Sequence, residues 1–146
     1  MKLKTSDVPQ ADRLGLVRRL LEAIPTSPST AVKDLAERTK VSERHVRYRM
    51  QAARILGFLP PEGEPTLTPR AKRLLATDVG SPEEKKQFVS AVNECPSVRL
   101  IAPNLLDSDD VDIKKLGDRI ARLSGLALAT AERRAVVLRS WRRDLR

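Results

Sequence analysis

The chain has 146 residues, with 28 lysines and arginines against 19 aspartates and glutamates, and its net charge is +9. This length suits one compact domain or two small ones, and the basic balance favours a polyanion as partner. Aromatic residues make up only 3% of the chain, which is too few for the stacking surfaces that bind single-stranded nucleic acid or RNA. Duplex DNA is therefore the favoured polyanion.

The composition also bears on chemistry and location. The single cysteine, Cys95, excludes an intramolecular disulfide, and one cysteine with one histidine leaves no set of zinc ligands. The aspartates within residues 107–112 lack the glycine and terminal glutamate of a calcium loop. We find no glycine-rich phosphate loop and no catalytic triad, so the sequence predicts no enzyme, cofactor or metal site. It contains no apolar run long enough to cross a membrane and no signal-peptide core, which predicts a cytoplasmic protein.

The first part of the chain is predicted to be helical. Residues 1–9 are expected to form a flexible leader, and an amphipathic helix follows over residues 11–24. Two prolines then break the chain into a loop, after which a short helix leads to a tight turn at residues 39–40. Ser42 is a good N-cap for a second helix, which Gly57 ends. This pattern is typical of a helix–turn–helix unit.

One face of the helix that follows Ser42 is apolar and the other is polar and basic. The basic face suits a major groove, because guanidinium groups bind guanine edges and phosphates. Arg44 and Arg47 are the strongest candidates for such contacts, and a solvated face in an ordinary helical bundle is the alternative. The predicted DNA-contacting residues here are Lys40, Ser42, Glu43, Arg44, His45, Arg47, Tyr48, Gln51 and Arg54.

The stretch after Gly57 reads LGFLPPEGEPTLTPRAKRLL from Leu56 onwards. Residues 58–59 and 66–68 are predicted to be two short strands joined by a proline-rich turn, and Pro69 opens another helix. This order resembles the wing of the winged helix-turn-helix family, over residues 10–78. The resemblance implies a mainly α fold with a small β-hairpin wing and a DNA-binding function. The tip departs from a wing that grips phosphate, because it carries Glu62 and Glu64.

Residues 81–146 are predicted to form a second helical domain. A shift of 85 residues places Lys40 on Gly125 and Leu56 on Trp141, which predicts a second helix–turn–helix-like unit with Trp141 as a core anchor. The positions of this unit that correspond to the DNA-facing ones are mostly apolar, so they suit packing against a partner better than base reading. Arg133 and Arg134 are its predicted phosphate contacts.

The segment RRAVVLRSW, residues 133–141, resembles segments attached to restriction nucleases. Two settings therefore stay open, a transcription regulator and the DNA-reading, non-catalytic part of a larger restriction or defence protein. Double-stranded DNA is the expected partner, with a nuclease domain or a second copy of the chain as further partners. Since DNA is the expected partner, the protein is predicted to be associated with the nucleoid in the cytoplasm. The alternative of a different class is a winged-helix module that binds another protein.

Overall fold

Eight α-helices occupy the part of the chain that the computed structural model describes, residues 2–146. Two short 3-10 turns, Thr5–Asp7 and Ile24–Thr26, accompany them. The helices are α1 (Leu14–Ala23), α2 (Val32–Thr39), α3 (Glu43–Ile55), α4 (Pro69–Leu75), α5 (Pro82–Glu94), α6 (Pro96–Ile101), α7 (Ile113–Ser124) and α8 (Leu128–Leu145).

Side chains that accept a backbone N–H fix the starts of four helices. Free N–H groups in the first turn need acceptors, and serine, threonine and aspartate supply them. The cap predicted at Ser42 is confirmed, and the proline predicted at the first position of α4 follows a threonine cap. The four pairs are Ser42 with the N–H of His45, Thr68 with Ala71, Ser81 with Glu84, and Asp112 with Lys115.

The predicted β-hairpin wing is wrong. No residue from 2 to 146 lies in a strand, and a single backbone hydrogen bond, from the N–H of Thr68 to the carbonyl of Phe58 (3.2 Å), joins the two predicted strand segments. Phe58 and Leu59 instead turn back over the end of α3, where both N–H groups bond the Ala53 carbonyl. Three prolines between the segments remove donors that a β-ladder needs. The fold of the described residues is therefore all-helical.

The segment predicted to be a flexible leader contacts the helices from Leu3 onwards. Val8 is fully buried, and the N–H of Leu3 bonds the carbonyl of Leu123 at the end of α7. Backbone carbonyls at Thr5, Ser6 and Val8 accept hydrogen bonds from side chains of α3 and α8. The segment thus lies between the second helices of the two helix–turn–helix units.

Buried contacts connect the two predicted domains. The Trp141 indole is fully buried and donates to the carbonyl of Ala11, at 2.7 Å. The Arg18 guanidinium, 5% exposed, reaches the Glu84 carboxylate at 2.7 Å. The helices of residues 10–78 and 81–146 therefore share one core, and Trp141 is confirmed as a core anchor.

The two helix–turn–helix units have the same turn, 85 residues apart. Thr39 ends α2 and donates its hydroxyl to the Leu35 carbonyl (2.7 Å), while the last residue of α7, Ser124, does the same to Ile120 (2.6 Å). The next residue is left-handed in both units, with φ 59° at Lys40 and 76° at Gly125. Three residues after this position α3 and α8 begin. The helical outline predicted for both units is present.

Candidate nucleic-acid interface

Three cations project from the turn and the first turns of α3. Lys40, Arg44 and Arg47 are all exposed, and Lys40 occupies the left-handed position that redirects the chain into α3. The amino end of a helix carries partial positive charge from its aligned peptide dipoles. The beginning of α3 therefore combines three side-chain charges with a favourable helix end, which suits a phosphate-rich partner.

Arg44 is held against Tyr48, one turn further along α3. Its Nε donates to the Tyr48 hydroxyl at 2.7 Å, and its guanidinium carbon lies 5.4 Å from the ring centre. Cation–π contact and the hydrogen bond reduce the freedom of the arginine side chain. The two terminal nitrogens make no hydrogen bond within residues 2–146, so Arg44 presents a partly ordered fork to solvent.

Arg47 has an acidic neighbour on the same exposed face. Its Nη2 lies 3.5 Å from a carboxylate oxygen of Glu43, and both side chains are more than half exposed to solvent. An exposed ion pair of this kind contributes at most about 1 kcal/mol. A DNA phosphate can therefore replace Glu43 as the partner of Arg47 at little cost.

Ser42 and His45 bond each other. The Ser42 hydroxyl accepts the N–H of His45 (3.2 Å) and lies 2.7 Å from its ring Nδ1. The serine oxygen thus stabilises the start of α3. The imidazole is exposed beside it.

Two residues predicted to contact DNA make intramolecular hydrogen bonds. The Gln51 amide donates to the carbonyls of Ser6 and Val8, each at 3.0 Å. The Arg54 guanidinium donates to the carbonyls of Pro60 (2.7 Å) and Gly63 (2.8 Å). The N-terminal segment and the proline-rich loop therefore flank the second half of α3, and the freely exposed part of this helix is its first half.

The basic residues predicted on the second unit separate in the structure. Arg134 is half-buried and donates to the carbonyls of Thr5 (3.2 Å) and Val8 (2.9 Å). Burial lowers the pKa of Arg134, and nearby Arg133 lowers it further, while Tyr48 opposes the shift. Arg133 is exposed and donates to Thr130. Arg134 thus holds the N-terminal segment, and Arg133 remains accessible.

The exposed side of α8 is partly apolar. Leu128 is 49% exposed and Val136 40% exposed, and these positions correspond to Glu43 and Gln51 of the first unit. The three cations of the first unit correspond to Gly125, Ala129 and Glu132, so the second unit lacks the cation-rich helix start of α3. This surface favours an apolar partner over nucleic acid.

Sequence reasoning missed Arg49. This residue lies in the apolar stripe of α3 with Val46 and Ala53 and is only 8% exposed. Burial, followed by the charge of Arg19, lowers the pKa of Arg49, while Asp12 opposes the shift. A charged residue at an apolar position of a helix was the available signal.

The comparisons with known proteins give no further assignment. No family model, curated protein or solved structure matches the chain. Within residues 2–146, no three histidine, cysteine, aspartate or glutamate side chains come together as metal ligands. In the same residues, no helix has the length and apolar character required to cross a bilayer.

Proposed function

We propose that the chain binds double-stranded DNA through the turn at Lys40 and the first half of α3. The observation that carries this proposal is the exposure of Lys40, Arg44 and Arg47 at one helix start, opposed there by a single carboxylate, that of Glu43. A helix of 13 residues is long enough to enter a major groove with its amino end. The net charge of +9 adds long-range attraction to phosphate.

The roles of the individual residues follow from their contacts. Arg44, ordered by Tyr48, and Arg47 supply the donors for guanine edges or phosphates, and Lys40 supplies phosphate attraction. Gln51 and Arg54 act indirectly, because they fix the segments on either side of α3. The exposed Arg133 of α8 offers a further phosphate contact.

The biological settings that this proposal allows are a transcription regulator and the DNA-reading part of a restriction or defence protein. In either setting the protein works at the nucleoid, in the cytoplasm. A homodimer would read a palindromic site, whereas a nuclease domain would act on the DNA that the helix holds. In this proposal the chain recognises DNA and does not itself catalyse a reaction.

The test is fluorescence anisotropy with a labelled random duplex pool and a single strand of the same length, from low to high salt. We expect tighter binding of the duplex and a logarithmic salt slope that reports several phosphate contacts, at about 0.9 per contact. Selection of bound sequences then identifies the site. Flat anisotropy at low salt would contradict the proposal.

A second function, binding of another protein, is favoured by the exposed Leu128 and Val136 of α8. Apolar side chains at this exposure are candidates for burial in a partner's surface. Leu128→Ser with Val136→Ser separates the two functions. DNA affinity should stay unchanged in this variant, while a protein partner bound through α8 should be lost.

A further inference from the structure

A basic groove lies on the side of the first helix–turn–helix unit that faces α1. Its volume is about 510 Å³, and its charged lining consists of Arg19, Arg38, Lys40 and Arg49 with Glu22 as the single acid. The Glu22 carboxylate also lies 3.8 Å from the Arg18 guanidinium. This ion pair offsets part of the negative charge that Glu22 brings to the groove. Four cations thus surround a space with little compensating charge.

Arg49 is the buried member of this group. It is 8% exposed, yet its guanidinium makes no hydrogen bond or salt bridge to any of residues 2–146. The guanidinium nitrogens are left to the solvent of the groove, because no protein acceptor bonds them. Partial burial without such an acceptor disfavours the charged form, and the like charge of Arg19 adds to this effect. Both lower the pKa of Arg49, against the opposing charge of Asp12. An anion in the groove would relieve this cost.

The second unit shows how the equivalent arginine is satisfied. Arg134 lies 85 residues after Arg49, at the same position relative to the turn, and burial lowers its pKa too. Its guanidinium donates to the carbonyls of Thr5 and Val8. In the first unit the Asp12 carboxylate acts on Arg49 through its charge alone. No carbonyl or carboxylate of residues 2–146 accepts a hydrogen bond from Arg49, so the acceptor that the repeat leads us to expect is missing there.

We propose that the groove binds a phosphate group, with Arg49 and Arg19 as its main donors. Guanidinium forks match the oxygens of phosphate, and four cations favour a multiply charged anion over a single carboxylate. The main donors are distinct from the exposed face of α3, because Arg49 lies about 200° around the helix from Arg47 at 3.6 residues per turn. Lys40, in the turn, borders both surfaces. The phosphate belongs to a free phosphate or phosphate monoester, or to a DNA backbone that reaches this side.

Titration calorimetry with inorganic phosphate, at ionic strength held constant with chloride, tests the proposal. The variants are Arg19→Gln and Arg49→Met, and Arg139→Gln is the control, since it removes an exposed arginine of α8. We expect saturable binding by the wild type and the control. Each groove variant should weaken binding about tenfold or more, because each removes charge-assisted hydrogen bonds to the phosphate.

Two results would overturn the proposal: no saturable binding by the folded wild type, or equal weakening in the Arg139→Gln control. Arg19→Gln changes an exposed side chain, so it keeps the test valid if Arg49→Met fails to fold. A short duplex added to the phosphate complex distinguishes the sources. Displacement of phosphate supports a backbone phosphate, and co-binding supports a free one. The phosphate titration itself contains no DNA, so its outcome is independent of the proposed DNA binding.

Discussion

A matched pair of glycine substitutions tests the close packing of α7 on α8. Gly117 is buried within α7, and a Cβ built on it would lie 2.6 Å from Cγ, 3.2 Å from Cα and 3.3 Å from the backbone nitrogen of Glu132. Gly15 is an exposed glycine of α1, where an added Cβ would meet nothing within 4 Å. The two sites therefore share a helical backbone and differ in the space around them.

The two alanine variants should change stability in opposite directions. Alanine is favoured over glycine in a helix by about 0.5–1 kcal/mol, so Gly15→Ala should raise the free energy of unfolding by about 0.5 kcal/mol. At Gly117 the backbone of Glu132 cannot move away freely, and overpacking costs about 1–3 kcal/mol. Gly117→Ala should therefore lower the free energy of unfolding by about 1–2 kcal/mol after the helix gain is subtracted.

Urea denaturation followed by far-ultraviolet circular dichroism measures both changes. The difference in midpoint gives the stability change when the slope is unchanged. If Gly117→Ala stabilises as much as Gly15→Ala, the two helices do not approach each other at Gly117 and the packing of the second unit described above is wrong.

Two further predictions concern single contacts. Trp141→Phe should lower the free energy of unfolding by about 2–3 kcal/mol in urea denaturation, because it leaves the buried Ala11 carbonyl unpaired and opens space; an unchanged midpoint would contradict this role. The Arg70 hydrogen bond holds the pKa of Glu94 below its usual value. The bond therefore stabilises the fold above the usual glutamate pKa, and this contribution is lost as pH falls through the lowered one. Carboxyl NMR titration should show a higher Glu94 pKa in Arg70→Met than in the wild type, and an unchanged pKa would contradict the assignment to Arg70.

The sequence is informative about helix starts and about the repeat. Ser42 precedes a first-turn acid and is recognisable as a cap, because capping depends on residues a few positions apart. The spacing between Lys40 and Gly125 could likewise be read from the chain. These features are local, so the residues themselves carry the information.

The wing could not be predicted correctly from local pattern. Phe58 and Leu59 are apolar in either a strand or a packed turn, and the periodicity of so short a run does not distinguish the two. Both residues are buried in the structure. The loop that follows them is held by Arg54, whose guanidinium donates to two loop carbonyls. Side-chain hydrogen bonds from α3, and not a β-ladder, therefore hold the proline-rich loop.

The roles of Gln51, Arg54 and Arg134 were hidden for a related reason. Each looks like a polar surface residue in sequence, and each donates to backbone carbonyls brought close only by the fold. Backbone acceptors carry no side-chain signature. The exposed start of α3, in contrast, depends on local helix phase, and its candidate residues Arg44 and Arg47 are exposed as that phase predicts.

Comparison of two double variants by duplex anisotropy tests the central claim most directly. Arg44→Gln with Arg47→Gln removes two cations from the start of α3, and Lys85→Gln with Lys86→Gln removes two exposed cations from α5. Circular dichroism should show that both variants keep the helical fold. Any difference between them then reflects position and not net charge.

The account predicts that the α3 variant loses at least about tenfold in duplex affinity, because each contact to a base edge contributes about 1–3 kcal/mol. Its salt slope should also fall by about 0.9 for each phosphate contact removed. The α5 variant should keep most of its affinity. Equal losses in the two variants, or no loss in either, would contradict DNA binding through α3.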